Sequence, residues 1–449
     1  MTEPVLATAS QPARAMRAVL PDQRVAKPGR RTYGLRWDQT RRETFPPRAG
    51  APVMHAQTWP GLRAIPAKRW DALVPRGDRV LSHAFLDAWE KGAELPALRS
   101  RPVTVRLDRE ERVAALCPGF WYDLDLATTR IPTASALVGG LRKVRPRLLV
   151  ARTYELGSPT PLANPVIVPD PSLRPAALRA IGETVIEDGT RDGADFIFVQ
   201  NFADRWCPAA EVLGELGFSC VPMLPTVVVQ LGYDSFDDYL GSMRAQYRRR
   251  AHQTLRRSEG LRVEHLDTFE ALGGELARLW RMIFDRASEL RREVLTPRYF
   301  RAMSALEGSS ALVLRREDGS IAAFALLFSD HPWLSFLQCG FDERTARQHG
   351  AYFRLLYEIV RVGIEGGFRQ VDLGMTALGP KLDVGGVPVP LFALLRHRNP
   401  LVHRLIVTLA NGRLGPTPAE PRRVFKTPVP AAADLVAERA TAPSPAFVS

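Results

Sequence analysis

The sequence predicts a mixed α/β protein of two similar lobes, about 160 residues each, between disordered tails. Three observations carry this reading. The same order of elements (hairpin, strand, helix, strand) is legible twice along the chain. Asp318-Gly319 lies between two β-prone apolar runs, which is a strong hairpin signal. Apolar residues at 352, 355, 356, 359, 360 and 362 recur at helical spacing and stop at Gly366-Gly367.

Residues 1–56 hold seven prolines and show no sustained periodicity. Such a segment cannot bury enough apolar surface to offset its ordering entropy, so it reads as a disordered tail. Its Arg-rich, acid-poor character also suits a targeting segment. In the first lobe, 57–225, residues 103–107 and 112–117 form a hairpin and 152–156 a third strand. A helix over 175–188 and a strand over 195–200 complete the set, and roughly 120–150 is an extra segment. A β-branched run at 224–231 joins the lobes. A helix over 239–257 follows, with Leu240, Met243, Tyr247, Ala251 and Leu255 on one narrow stripe and arginines over much of the remainder. Another helix spans 269–290. The second lobe, 226–410, repeats the order: strands at 311–315, 321–328 and 333–339, a helix over 352–365, and a strand at 370–373. The stretch 411–449, rich in Pro and Ala, reads as a second disordered tail.

At 45% apolar and 24% charged residues, the composition of the 449-residue chain excludes wholesale disorder. The most apolar stretch, 322–339, is broken by Asp330, His331 and Pro332, so no transmembrane helix is expected. Cys117, Cys207, Cys220 and Cys339 contain no Cys-x-x-Cys pair and predict neither a disulfide framework nor a zinc site. The N-terminus lacks a secretory signal, and a soluble cytoplasmic protein is expected. The net charge of +13 is concentrated: +6 in residues 1–56, +6 in 239–262 and +2 in 411–449. A protein that tracks nucleic acid spreads basic charge over a docking face, and charge confined to two tails and one helix is weaker evidence for that. Hydrolase, NTPase and dehydrogenase chemistries have no Ser/His/Asp arrangement, P-loop or Rossmann fingerprint to rest on.

After the strand at 333–339 the chain reads Arg347-Gln348-His349-Gly350-Ala351-Tyr352, and then enters a helix. This resembles the pyrophosphate loop of the GNAT acyltransferases, although Tyr352 stands where that family has a small residue. Three further stretches carry a resemblance: Ala67-Lys68-Arg69-Trp70 with Leu81-Ser82-His83-Ala84-Phe85, Ser235-Phe236-Asp237-Asp238-Tyr239-Leu240, and Asp372-Leu373-Gly374-Met375-Thr376 followed by Lys381 and Gly385-Gly386. With two lobes in one chain, the sequence over roughly 57–410 is similar to the FemAB-like and BioF2-like acyltransferases. The resemblance implies tandem GNAT-like lobes and an acyl-CoA donor. Arg347, Gln348, His349, Gly350 and Ala351 would hold the donor's pyrophosphate, on helix N-terminal amides. It also implies that Lys381 lies near the acyl group, with Asp372 and Tyr352 as further catalytic candidates and no metal. Structural readings stand beside these. Arg347 and His349 fit solvated loop positions, Asp372 a turn acceptor, Tyr352 a packed core residue, and Lys381 a surface lysine.

Three functions follow from these residues. The first is an N-acyltransferase joining an acyl-CoA to an amine, which is lipid-like or of the cell envelope. In that case the Arg-rich helix 239–257 would touch an anionic membrane surface at its inner face. The second is Fem-type transfer from aminoacyl-tRNA, the same arginines holding tRNA phosphates. The third is a non-catalytic adaptor that keeps the fold.

Overall fold

The computed structural model describes residues 53–108, 112–126, 147–160, 165–203, 208–287, 292–412, 416, 419–432 and 434–435. Most of the expected N-terminal tail lies outside these residues. Its last residues are not tail: β1, Met54–Thr58, pairs with β2, Val103–Leu107, which pairs in turn with β3, Val113–Cys117. The helix α1, His83–Gly92, is capped by the Ser82 side chain on the Phe85 amide.

The first lobe is built on a sheet ordered Arg99–Ser100, β4 (Gly119–Asp125), β5 (Val150–Leu156), β6 (Phe196–Phe202), then a late strand of the chain, then β7 (Ser219–Pro222). β5 and β6 run parallel, and the helix α2, Arg174–Asp192, connects them and ends on left-handed Gly193. The segment expected to be an insertion thus opens with a strand of the sheet. The expected hairpin, β2 with β3, belongs to a separate three-stranded sheet with β1. The polypeptide switches sheets at Pro118, where no backbone N–H is available to either ladder.

The second lobe's sheet begins with β8, Thr226–Gln230. The expected helix over 239–257 is two helices: α3, Phe236–Ser242, and α4, Ala245–Arg257. Met243 and Arg244 between them are extended. They are held open by the C-terminal segment: the Arg244 amide donates to the Val424 carbonyl and the Lys426 amide to the Ser242 carbonyl. There follow β9 (Arg262–Leu266), α5 (Gly273–Phe284), α6 (Pro297–Ser304), β10 (Ser309–Arg315), β11 (Ile321–Asp330) and β12 (Trp333–Phe341). A short helix α7, Glu343–His349, leads into α8, Ala351–Glu365, then β13 (Gln370–Asp372), α9 (Leu378–Asp383) and β14 (Val387–Val389). The strand order is β9-β10-β11-β12-β13-β8-β14. The hairpin at Asp318-Gly319 forms as expected, with Gly319 at φ 82° and the Asp318 carboxylate accepting from the Ser320 amide.

Alternate residues of the strands feed opposite cores. Leu312 and Leu314 join Leu355, Leu356, Ile359 and Val360 of α8. Ala311, Val313, Phe324 and Phe328 instead face Leu276, Leu279 and Phe300 on α5 and α6. That second core also takes in Trp70, Phe85 and Trp89 from the N-terminal part of the chain, so residues assigned to the first lobe complete the second.

The exchange runs both ways. β15, Phe392–His397, returns from the second lobe and inserts between β6 and β7, and α10, Pro400–Ala410, covers it. The expected boundary near 226 coincides with the first strand of the second sheet, but 392–410 belong to the first. The expected C-terminal tail is also structured in part. Val424 and Phe425 are buried in the second lobe's core, and Leu435 packs on Val228, Val387 and Val389.

Candidate functional site

Two strands part at the centre of the second sheet. β12 and β13 are parallel and pair only over Trp333–Ser335 with Gln370–Asp372. β12 continues to Phe341 against β11, with its register shifted opposite Leu326/Leu327. Such a bulge bends the strand and re-aims it. Past Phe336 the two parallel strands therefore enclose a wedge.

Lys381 of α9 reaches into this wedge. Its side chain is buried at 3% exposure, donates to the Gly374 carbonyl at 3.1 Å, and lies 5.9 Å from the centre of the Phe336 ring. Gly374, at φ 79°, makes the turn; a Cβ there would stand 3.7 Å from both the Lys381 Nζ and the Phe336 carbonyl. The expected surface alternative for Lys381 is thereby set aside. Cys339 of β12 shares the wedge, its thiol pushed up to about 11 by burial despite the opposing charge of Lys381. Tyr352, in the first turn of α8, packs its ring 5.6 Å from Phe341, and burial holds its phenol neutral far above the ordinary range. The Asp372 carboxylate accepts through Oδ1 from the Thr226 hydroxyl and the Gly374 amide, tying β8 to the turn beside Lys381. Those bonds fit the turn-acceptor alternative.

The stretch expected as a phosphate loop is the end of one helix and the start of the next. Gly350, at φ 64°, closes α7 and opens α8, a left-handed position that suits glycine. The first amides of the 15-residue α8 have no partner within the helix. Arg347 points away: its side chain is 78% exposed and paired with Glu343 one turn earlier. The arginines that face this junction come from α4. Arg257 donates to the carbonyls of Arg347 and Gln348, and its own carbonyl lies 3.2 Å from His349 Nδ1. Arg250 stacks 5.8 Å from the Tyr247 ring.

Between α4 and α8 runs an open groove of about 280 Å³. Arg250, Thr254 and Arg257 line one wall and Gly350, Phe353 and Tyr357 the other, with Asp383 at the end. The Tyr357 phenol is pushed up to about 12, chiefly by burial and then by Asp383. The helix α9 links the two features, with Lys381 in the wedge and Asp383 on the groove. Sequence reasoning singled out the Arg-rich segment but did not identify Arg250 and Arg257, nor Phe353, Tyr357 and Asp383; α4's apolar face, Tyr247, Ala251 and Leu255, packs on the core and determines which arginines turn toward α8.

Residues 241–380 match the acetyltransferase (GNAT) domain, and they contain the wedge, the α7–α8 junction and the start of α9. This part of the chain carries a GNAT acetyltransferase domain. Over 288 residues the chain is 27% identical to a Mycobacterium tuberculosis protein carrying the provisional name 8-amino-7-oxononanoate synthase 2, a match covering 62% of this chain and 37% of that one. The chain thus spans little more than a third of the curated relative's length. Among solved structures, that of FemX is similar at 13% identity, covering 78% of this chain and 99% of FemX with a TM-score of 0.47. A tandem GNAT protein from the clavulanic acid biosynthesis pathway is similar at 11% identity, with 77% and 99% coverage and a TM-score of 0.43.

Proposed function

We propose that this GNAT protein forms an amide from an acyl-CoA thioester and an amine acceptor, with the donor lying along the α4–α8 groove and its acyl end in the wedge. The observation that carries the reading is the parting of β12 and β13 beside the N-terminus of α8. Anionic oxygens gain from unpaired helix N-terminal amides, and the arginine wall adds charge-assisted bonds. The acyl carbonyl would meet backbone amides of β12 beyond Phe336, where among the described residues the strand pairs with β11 alone. Such donors are worth roughly 3 to 4 kcal/mol each toward a developing oxyanion. A neutral amine attacks the thioester carbonyl, the C–N bond forms, the C–S bond breaks, and CoA leaves as thiolate. The amine's proton passes to water or to the leaving sulfur. In this reading Lys381 supports the wedge's polarity next to the acyl group and is not a nucleophile, since no covalent enzyme intermediate is required.

Titration calorimetry with CoA tests the donor site. Arg250→Ala should weaken CoA binding by about 10- to 150-fold, the cost of one charged hydrogen bond. Unchanged affinity would overturn the groove as donor site. The Arg-rich wall of α4 also suits tRNA phosphates, and a parallel titration with aminoacyl-tRNA separates the two donors: steeply salt-dependent tRNA binding with no CoA binding would favour the Fem-type reaction.

A further inference from the structure

We propose that α10 docks this protein onto an anionic lipid surface. Six large apolar side chains are exposed among the described residues, and four of them lie on this one helix: Leu401 at 76%, Leu405 at 58%, and Val402 and Leu409 at 36% each. They are not the mark of a loose helix. The Asn399 side chain caps the Leu401 and Val402 amides, and His403 Nε2 lies 2.9 Å from the Ser219 hydroxyl. On the inner side Ile406, Val407 and Ala410 pack on Ala393, Leu395 and Val221 of the first sheet. The helix is therefore fixed to the fold with apolar side chains turned both inward and outward. A surface helix of a soluble protein normally turns its polar face to solvent.

Charge and size select the occupant. From 384 to 419 the chain holds four arginines (Arg396, Arg398, Arg404 and Arg413) and no Asp or Glu. Arg404 is exposed on α10 itself, and Arg398, just before it, is 65% exposed and ion-paired with Asp195 at 3.0 Å. An apolar strip that carries the exposed Arg404, on a stretch without acidic residues, complements a bilayer with anionic headgroups, where apolar burial and charge attraction add. A helix of 11 residues is about 16 Å long and 10 Å wide, a footprint of roughly 160 Å². A stable protein interface needs about 800 Å² from each partner, so a second copy of this chain would not be held by this strip alone. A lipid surface has no such threshold. The helix is too short to cross a bilayer, and no described helix is long and apolar enough to do so.

This inference is independent of the donor assignment. Its test is co-sedimentation of the full chain with phosphatidylcholine vesicles, with and without phosphatidylglycerol. The wild type should sediment with the anionic vesicles and bind the neutral ones more weakly. The double variant Leu401→Ser, Leu405→Ser should lose at least about tenfold in partitioning, because two inserted side chains are removed. Its melting temperature and CoA affinity should stay unchanged, since both residues are exposed and lie on the first lobe. Arg404→Glu should weaken binding to anionic vesicles only. Equal sedimentation of wild type and double variant would overturn the proposal. So would a wild type that is dimeric in solution and becomes monomeric in the double variant, because the occupant would then be a second copy.

Discussion

Asp342 shows how one side chain organises the site's approach. It caps α7 by accepting from the Thr345 amide and hydroxyl, and it pairs with Arg316 at 3.0 Å. The Thr345 hydrogen bonds, aided by Arg316, hold its carboxyl below the ordinary 3.8. A depressed carboxylate binds its proton more tightly in the unfolded chain, so its stabilising effect is present above about pH 4 and is lost as pH falls through the folded value. Asp342→Ala should cost about 1 kcal/mol at neutral pH, and the difference from wild type in urea melts should shrink below pH 4. A gap that stays constant with pH would exclude this assignment.

Gly350 and Arg347 make a second pair of predictions at this scale. A Cβ at Gly350 would meet Thr254 at an ordinary 3.8 Å, so space is not the obstacle; φ 64° is. Gly350→Val should therefore cost about 1 to 2 kcal/mol of stability, more than Gly350→Ala, and both should weaken CoA binding by disturbing the α8 amides. Arg347→Ala should change CoA affinity less than about threefold, because its guanidinium is solvated and paired with Glu343. A large loss on Arg347→Ala in calorimetry would return Arg347 to the donor site.

Among the elements, the segment around Phe425 is the informative one. It bridges α3 and α4, lies 5.7 Å from the Tyr239 ring, and covers Gly385, where a Cβ would come within 2.3 Å of its ring. Phe425→Ala should lower stability by about 3 to 5 kcal/mol, measurable by chemical denaturation. A near-neutral result would mean that this segment is not part of the folded core. Composition could not reveal this segment: it follows a Pro-rich stretch, and two apolar residues show no periodicity. Glycines at 385 and 386 are legible in the sequence, but the reason for Gly385 is a ring from forty residues away, and for Gly386 the Val227 side chain and the Lys381 carbonyl.

At the scale of the whole molecule, the two lobes belong to one compact unit and are joined by a buried charge cluster. Arg292, from the second lobe's chain, bonds both Glu155 oxygens at 2.9 and 3.1 Å, and Tyr122, Gln200 and Glu293 complete the cluster. Arg292→Met leaves the carboxylates of Glu155 and Glu293 buried without their cation, at a cost of roughly 3 to 5 kcal/mol. A single cooperative melt shifted downward is the expected outcome in calorimetry; an unshifted melt would deny the cluster a role in holding the lobes together.

Local sequence was sufficient for the strand and helix order of the second lobe, the Asp318-Gly319 hairpin, the α8 face and the glycine stop after it. Each of these depends on periodicity or turn chemistry within about fifteen residues, which the chain carries wherever it is placed. The resemblance to GNAT proteins was legible on the same basis, in short runs at the right places between elements. Tertiary structure alone decided that Met243 and Arg244 break a helix, that β15 returns to the first sheet, and that Lys381 is buried in a wedge while Arg347 faces solvent. It also decided that Arg250 and Arg257, rather than the neighbouring arginines of the same helix, face the α8 N-terminus. Those outcomes turn on pairings across tens to hundreds of residues, where a side chain's surroundings are set by which distant segments fill the remaining space, and no local pattern records that choice.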